Sequence, residues 1–271
     1  MTEETKIDTM QEITVRSTLD GTMQPSLFYC ASETDSRPLL VGLHSWSWDR
    51  TGCVEGMLPV ARRLGWHLLL PDFRGPNCPT NPEPTKACGS PFAKQDILDA
   101  IDYVEERYPI DRDCIFLCGG SGGGHMALLM AGYAPTRFRA ISSFVPLTDV
   151  EAWYHEKHNN PVGGKYAEDI VAVCGGEPSP ATIEEYRYRS PMTYIDEIAR
   201  SNTEIYTGVF DHSIPCHHGF DLYTAVHAKY PDARVFLRMF DGGHDIRYDW
   251  MEEWFLSQMP DTRNKGEQVS G

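Results

Sequence analysis

One short stretch, Gly119-Gly120-Ser121-Gly122-Gly123, restricts the possible folds of this sequence more than any other. It follows an apolar run at 114–118 that is typical of a buried strand, and it precedes a run at 122–133 with apolar residues at helical spacing. The stretch fits G-x-S-x-G, a tight strand-to-helix turn that presents a serine hydroxyl above a sheet. Glycines are needed there because strand and helix approach too closely for side chains. We therefore predict that Ser121 is a nucleophile.

A glycine-rich loop can also bind phosphate. Gly122-x-Gly124-x-x-Ala127 matches part of the dinucleotide-binding fingerprint, but it is not in the first strand-helix unit, and no acidic residue ends the next strand about 20 residues later. A Walker-type loop would need a Lys-Ser or Lys-Thr pair, which this stretch lacks. The serine turn is the better interpretation.

Composition limits the class of protein. The 271 residues are 41% hydrophobic, which is enough for one large α/β domain, and no apolar run reaches the ~18 residues that span a membrane. The formal net charge of −15 argues against binding to nucleic acid or to anionic membranes. The first residues lack the basic and then apolar pattern of a secretory signal, so we expect a cytoplasmic or already processed protein. A homo-oligomer is compatible with the sequence.

The eight cysteines are predicted to be free thiols, because several lie in apolar strand-like runs and no C-x-x-C occurs. Cys78 and Cys88 lie in a proline-rich loop and are the pair that could form a disulfide.

Strands and helices alternate from residue 39 onwards, which predicts a mostly parallel central sheet flanked by helices. An antiparallel ribbon opens the chain, with strands near 13–17 and 26–30 on either side of an Asp-Gly turn. The alternation breaks at about 148–200, and we predict that this insertion forms a cap over the site. We expect one domain over 1–271 with a frayed tail from about 262.

A serine needs a histidine to take its proton and an acid to orient that histidine, and in this type of fold they follow in the order Ser, acid, His. Asp211 directly follows the strand predicted at 204–210, and His244 lies on a glycine-rich turn after the last strand. We predict Ser121, Asp211 and His244 as the catalytic triad. Asp149 is the reserve acid, and Asp241 and Asp245 are too near His244 in sequence to orient its ring.

The oxyanion of the reaction needs two hydrogen-bond donors. The backbone N–H of Gly122, at the start of a helix, is one candidate. The second should come from the loop after the strand that ends at Leu43, where His44-Ser45-Trp46 occupies the place of the usual His-Gly-x motif. We predict the backbone N–H of Trp46.

The chain resembles the catalytic domain of the prolyl oligopeptidase family, including its esterase-like relatives, over roughly residues 39 to 257. The resemblance depends on a set of motifs: His44-Ser45-Trp46, Asp72-Phe73-Arg74-Gly75, Gln95-Asp96, Gly119-Gly120-Ser121-Gly122-Gly123, Arg189-Ser190-Pro191, Asp211 followed by Ile214-Pro215, and Gly242-Gly243-His244. It implies an α/β-hydrolase fold, with the same nucleophile, acid and base as above and no cofactor.

The chain departs from that family in three ways, and the last two favour ester hydrolysis. Only about 38 residues precede the first core strand, where family peptidases usually carry a β-propeller. Ser45 replaces the common glycine, and His125 stands where the peptidases often have tyrosine. We predict a serine hydrolase of carboxylic esters, such as acyl groups on carbohydrates or small aromatic esters. A small peptidase acting on short peptides is the alternative, and a catalytically silent binding protein is the third possibility.

Several other side chains are candidates for substrate contacts. The aromatic residues Trp48, Trp153 and Tyr154, with His44, could line an acyl or sugar pocket, although core packing explains them equally well. Arg187 and Arg189 could bind a substrate carboxylate or form structural salt bridges.

A zinc site could be imagined from His155-x-x-His158 with Cys216-His217-His218. No third ligand has the spacing of a metal site, so we predict no metal.

Overall fold

The computed structural model describes residues 10–158, 160 and 163–260. The tail predicted from about 262 and residues 1–9 therefore lie outside the described residues. The described chain contains one sheet of eight strands: β1 (Gln11–Arg16), β2 (Met23–Tyr29), β3 (Arg37–Leu43), β4 (His67–Pro71), β5 (Ile110–Gly120), β6 (Ala140–Phe144), β7 (Thr203–Gly208) and β8 (Val235–Phe240).

The strand order is β1-β2-β4-β3-β5-β6-β7-β8. The first two strands form the predicted antiparallel ribbon, and β2 joins β4 in antiparallel orientation. All other neighbours are parallel, so the carboxyl ends of β3 and β5 to β8 lie at one edge of the sheet. This arrangement confirms the predicted α/β-hydrolase fold.

Nine α-helices connect or cover the strands in the described part of the chain: α1 (Val54–Leu64), α2 (Pro91–Arg107), α3 (Gly122–Tyr133), α4 (Val150–His158), α5 (Gly164–Cys174), α6 (Ile183–Tyr188), α7 (Ile195–Ile198), α8 (His217–Lys229) and α9 (Tyr248–Ser257). Short 3₁₀ segments lie at Arg50–Cys53, Pro84–Lys86 and Pro191–Tyr194. None of the described helices is both long and apolar enough to cross a bilayer.

Helix α2 begins where the sequence indicates that it should. Ser90 caps it by accepting a hydrogen bond from the backbone N–H of Ala93 at 3.1 Å, and Pro91 occupies the first helical position, where its missing N–H is not needed.

The predicted insertion corresponds to residues 145–202, between β6 and β7, and it contains α4 to α7. Helices α4 to α6 share an apolar cluster in which Trp153, Ile170 and Tyr186 are buried, whereas Ile198 of α7 is buried in the main core. Arg189 attaches the insertion to the proline-rich loop at 77–89 by donating to the carbonyl oxygens of Thr85, Ala87 and Cys88 at 2.7–3.0 Å. The insertion is therefore packed firmly on the body of the fold.

The two arginines proposed as substrate ligands have structural partners instead. Arg189 is buried and also pairs with Glu185 at 3.1 Å, and the exposed Arg187 pairs with Glu184 at 2.6 Å. All eight cysteines lie in the described residues, and all are free thiols, including Cys78 and Cys88.

Arg74 explains why Asp72-Phe73-Arg74-Gly75 and Gln95-Asp96 occur together. Its guanidinium is buried, pairs with Asp96 at the start of α2, and pairs with Asp20 in the β1–β2 turn at 2.9 Å. The hydrogen bonds from Arg74 hold the pKa of Asp20 well below its usual range. These pairs fix the loop that follows β4.

Candidate active site

Ser121 lies on the turn between β5 and α3 in a strained backbone conformation. Its φ of +58° and ψ of −121° are unusual for a residue with a side chain, at a cost of about 1–3 kcal/mol. The backbone N–H of Ser121 donates to the carbonyl oxygen of Phe144 at 2.9 Å, which holds the turn against β6. The strain is thus maintained by the sheet.

The glycines of this turn are required by close backbone contacts. A Cβ at Gly119 would lie 2.2 Å from the carbonyl oxygen of Gly123, and a Cβ at Gly123 would lie 2.2 Å from that of Leu43. Such approaches admit no side chain, as the sequence pattern predicts.

Asp211 and His244 are in direct contact. Nδ1 of His244 lies 2.6 Å from Oδ2 of Asp211, and the Asp211 side chain is 1% exposed. The other carboxylate oxygen accepts hydrogen bonds from the backbone N–H groups of Ser213 and Ile214 at 2.8 and 2.9 Å. An acid held in this way keeps the proton of a neutral imidazole on Nδ1 and leaves Nε2 able to accept another.

Backbone contacts also bring the acid loop and the histidine loop together. The backbone N–H of Phe210 donates to the carbonyl oxygen of Gly242 at 2.9 Å, and a Cβ at Gly208 would lie 2.0 Å from that of Gly243. Strand β7 ends at Gly208, so Asp211 lies within the following turn rather than directly after the strand.

The other acids have different roles in the structure. The carboxylate of Asp149 accepts a hydrogen bond from the backbone N–H of Ala152 at 3.0 Å and so caps α4. The carboxylate of Asp245 accepts one from the N–H of Gly243 at 3.2 Å. Asp211 is thus the acid that the structure places on the ring of His244.

The two predicted oxyanion donors belong to backbone segments in contact. A Cβ at Gly122 would lie 2.4 Å from the backbone nitrogen of Trp46. Trp46 is held by three contacts: its carbonyl oxygen accepts from the N–H of Asn77 at 2.8 Å, its indole N–H donates to Asp169 of α5 at 3.2 Å, and its ring packs edge-on against Trp153 at 5.0 Å. The insertion therefore helps to fix the position of the Trp46 amide.

A pocket of about 230 Å³ opens above these groups. Its lining consists of Ser45, Trp46, Ser47, Trp48, Ser121, Lys165, Tyr166, His244 and Ile246. Trp48 was a predicted pocket residue, and it is 61% exposed. Lys165, Tyr166 and Ile246 were not predicted from the sequence. The only signal for the first two was Gly163-Gly164, a pair at which a helix can begin near the site.

Three residues predicted as substrate contacts lie elsewhere. His44 is 1% exposed, stacks on Phe73, and its ring nitrogens lie 3.0 and 2.9 Å from the carbonyl oxygens of Ser45 and Asp72, so no ring nitrogen is left for a ligand. Trp153 is 2% exposed, and Tyr154 hydrogen-bonds to His158 at 2.9 Å in a different pocket. His44 packs against the loop after β4, Trp153 and Tyr154 pack within the insertion, and none of the three lines the Ser121 pocket.

His125 has a structural role that removes one reason for predicting an esterase. The ring is buried, and its Nε2 faces the carbonyl oxygen of Arg189 at 2.6 Å, so it connects α3 to the insertion. Burial lowers the pKa of His125 to about 4, which keeps the ring neutral at pH 7. His125 is absent from the lining of the Ser121 pocket, so it cannot select an ester through direct contact.

The histidines of the imagined zinc site are arranged differently from the sequence hypothesis. His217 and His218, at the start of α8, lie beside Glu156 of α4, and one ligand atom from each falls within 4.8 Å of the others. Within the described residues, this group of three is the one that could hold a metal ion, and it excludes His155 and His158.

Comparison with known proteins fixes the family. The sequence model of the prolyl oligopeptidase family matches residues 93–257, which is more than half of the chain. The chain belongs to the prolyl oligopeptidase family. The resemblance drawn from the motifs is therefore confirmed.

The relatives of this family member include peptidases. Acylamino-acid-releasing enzyme 2 of Oryza sativa subsp. japonica is 22% identical over 80% of the chain, and the acylamino-acid-releasing enzyme of Arabidopsis thaliana is 23% identical over 73%. The solved acylaminoacyl peptidase of Pyrococcus horikoshii aligns over 93% of the chain with a TM-score of 0.72 and 18% identity. The chain spans 29%, 26% and 42% of these three proteins, respectively.

These relatives correct the predicted activity. The expectation of carboxylic ester hydrolysis is wrong, because the similar proteins are named as enzymes that release acylamino acids or cleave peptides. The coarser prediction, a serine hydrolase of the prolyl oligopeptidase family, is supported. The prediction relied on Ser45 and His125 as departures from the residues common in the family's peptidases, and His125 is a buried contact between α3 and the insertion.

Proposed function

We propose that this chain is a serine peptidase that cleaves short peptides through an acyl-enzyme on Ser121. The observation that carries the proposal is the 2.6 Å contact of Asp211 with His244, which lines the same pocket as Ser121. The peptidase names of the relatives support amide bonds as the target.

The proposed mechanism uses the site's own side chains, backbone amides and a water molecule. Ser121 Oγ attacks the scissile carbonyl carbon while Nε2 of His244 takes the hydroxyl proton, and Asp211 stabilises the resulting imidazolium through Nδ1–H. The backbone N–H groups of Gly122 and Trp46 donate to the oxyanion. His244 then gives the proton to the leaving amine, and a water molecule, deprotonated by the same ring, releases the acyl group from Ser121.

The proposed substrate class is N-acylated short peptides, because the relatives are named for acylamino acids. The pocket offers the faces of Trp48 and Tyr166 and the aliphatic Ile246 for an acyl group or apolar side chain. Lys165 is the one lining side chain with a permanent charge, and it favours an anionic group on the substrate.

The test is to compare three chromogenic substrates: an N-acetyl-aminoacyl anilide, an unblocked dipeptidyl anilide and a short-chain aryl ester. We expect cleavage of the anilides, with the N-acetylated one preferred. Ser121→Ala is the control, and it should fold normally and lose ~10⁶-fold in turnover. Ester turnover without cleavage of either anilide would overturn the proposal, as would unchanged anilide cleavage by Ser121→Ala.

A further inference from the structure

A second group of chemically active side chains lies outside the Ser121 pocket, at the junction of α4 and α8. Glu156 belongs to α4, and His217 and His218 begin α8. Nε2 of His217 lies 2.8 Å from one carboxylate oxygen of Glu156, and Nε2 of His218 lies 3.5 Å from the other. None of the three is among the residues that line the proposed catalytic pocket.

Two buried atoms in this group lack hydrogen-bond partners. His218 is 1% exposed, and its Nε2 is buried without a partner, as is Oε2 of Glu156. Buried polar atoms are nearly always satisfied, but these two face each other at 3.5 Å, which is too long for a good hydrogen bond, so both are poorly satisfied. A cation that accepts electron pairs from both would satisfy them.

The ring of His217 has a carboxylate beside each nitrogen. Its Nε2 faces Glu156, and its Nδ1 lies 3.2 Å from a carboxylate oxygen of Asp221. A protonated ring donates to both carboxylates, whereas a neutral imidazole has a single N–H and donates to one of them. A metal ion on Nε2 leaves the N–H on Nδ1 to donate to Asp221, which is the usual carboxylate support of a metal-bound histidine.

We propose that Glu156, His217 and His218 bind a divalent transition-metal ion of the Zn²⁺ class. Two imidazoles and one carboxylate form a known donor set for Zn²⁺, and tetrahedral binding at bond lengths near 2.1 Å requires donor separations of about 3.4 Å. The two histidine–carboxylate separations, 2.8 and 3.5 Å, go to different oxygens of Glu156, and one ligand atom from each of the three residues lies within 4.8 Å of the others. His217, whose side chain is 47% exposed, opens the site to solvent.

Two hydrogen bonds must change when the ion binds. The backbone N–H of Thr148 donates to Nδ1 of His218 at 3.3 Å, so that ring now carries its proton on Nε2. Metal binding to Nε2 moves the proton to Nδ1, where the Thr148 hydroxyl oxygen, 3.4 Å away, can accept it. The ion also replaces the 2.8 Å hydrogen bond between Nε2 of His217 and Glu156.

The position of the ion gives it a structural role. Helix α4 already contacts the loop that holds Asp211, because Trp153 and Lys157 donate to the carbonyl oxygens of Ser213 and His212 at 3.1 and 3.3 Å. A metal ion between α4 and α8 would fasten the insertion to both sides of that loop.

The test is titration of the chelator-treated full chain with Co²⁺, followed by visible absorption, and with Zn²⁺, followed by calorimetry and thermal unfolding. We expect one ion per chain and a higher midpoint of unfolding. Glu156→Gln and His217→Ala, at partly exposed positions, should fold and bind more than ~100-fold more weakly, and Asp221→Asn ~10–100-fold more weakly.

Two matched controls identify the ligands. His155→Ala lies on the same helix outside the cluster, and Cys216→Ser removes the nearest thiol, so both variants should bind as the wild type does. The proposal is overturned if the wild type binds no ion, if Glu156→Gln and His217→Ala bind normally, or if either control loses binding. These readouts need no substrate, so they are independent of peptidase activity.

Discussion

The loops at the carboxyl ends of the strands and the insertion at 145–202 both contribute to the pocket, but they are held in different ways. In the loops, backbone meets backbone: Gly208 against Gly243, Gly123 against Leu43, and Gly122 against Trp46. In the insertion, side chains make the decisive contacts, as between Trp46 and Asp169 or Trp153. The first region defines the chemistry and the second shapes what can reach it.

This difference has a consequence for how each region tolerates change. Where a Cβ added to a glycine would lie about 2 Å from a backbone atom, that glycine cannot be replaced by a larger residue. A side chain that makes a packing contact can be replaced by another of similar size. We expect the strand-end loops to respond sharply to substitution and the insertion to respond gradually.

The largest effect should come from the acid of the strand-end loops. Asp211→Asn keeps the shape of the side chain but favours the wrong tautomer of His244, and it should lower kcat for an anilide ~10⁴-fold. Asp149→Asn is the matched control in the insertion, because asparagine also caps helices well, and it should change kcat little. Equal losses in the two variants would remove the distinction between the regions.

A pair of glycines tests the backbone contacts themselves. Gly123→Ala places a methyl group 2.2 Å from the Leu43 carbonyl oxygen and should lower the free energy of unfolding by about 3 kcal/mol. A Cβ added at Gly164, in the insertion, would have no atom within 4 Å, so Gly164→Ala should cost nothing measurable. Chemical denaturation measures both, and a tolerated Gly123→Ala would contradict the account.

His125 lies where the two regions meet, and the burial of its ring predicts that stability depends on pH. Burial lowers its pKa from 6.5 to about 4 in the folded chain, so the unfolded chain takes up this proton first as the pH falls. The contribution of neutral His125 to the free energy of unfolding is complete above pH 6.5. As the pH falls from 6.5 towards 4, the free energy of unfolding decreases by up to about 3 kcal/mol.

The measurement is the free energy of unfolding of wild type and His125→Gln between pH 7 and pH 4. The glutamine amide can reach the position of Nε2 and donate to the Arg189 carbonyl oxygen but does not titrate, so the wild type should lose more stability than the variant over this range. Parallel curves for the two proteins would show that His125 does not titrate as its burial indicates.

The smallest effect concerns Lys165 in the insertion. Lys165→Met should raise KM about 2–5-fold for peptides with a free carboxyl terminus and leave amidated peptides unchanged, since exposed ion pairs contribute little. Arg187→Met, outside the pocket lining, is the control and should change neither KM. An equal rise in KM for both kinds of peptide would argue against an ionic contact.

The same difference explains what the sequence could predict. The helix predicted at 122–133 from its periodicity agrees with α3, and the glycines around Ser121 follow from a local steric rule. Asp211 and His244 could be proposed because both lie in loops after parallel strands, which meet at one edge of the sheet. Local patterns suffice where the backbone determines the geometry.

The insertion could not be predicted in the same way, because its contacts join residues far apart in sequence. Trp153 turns inward towards Ser213 and Tyr154 towards His158, whereas Lys165 and Tyr166 reach the pocket. The direction of each side chain depends on how α4 and α5 pack, and periodicity does not specify that packing. The sequence did not predict the pairing of Glu156 with the start of α8 for the same reason.

That one domain spans residues 1–271 stays a prediction.

The most direct test of the account is to label the purified chain with a fluorophosphonate and to locate the adduct by mass spectrometry. We predict one adduct per chain, on Ser121, formed much more slowly in Asp211→Asn and absent in Ser121→Ala. No adduct in the folded wild type, as a catalytically silent binding protein would give, or an adduct on another residue would contradict the proposed triad.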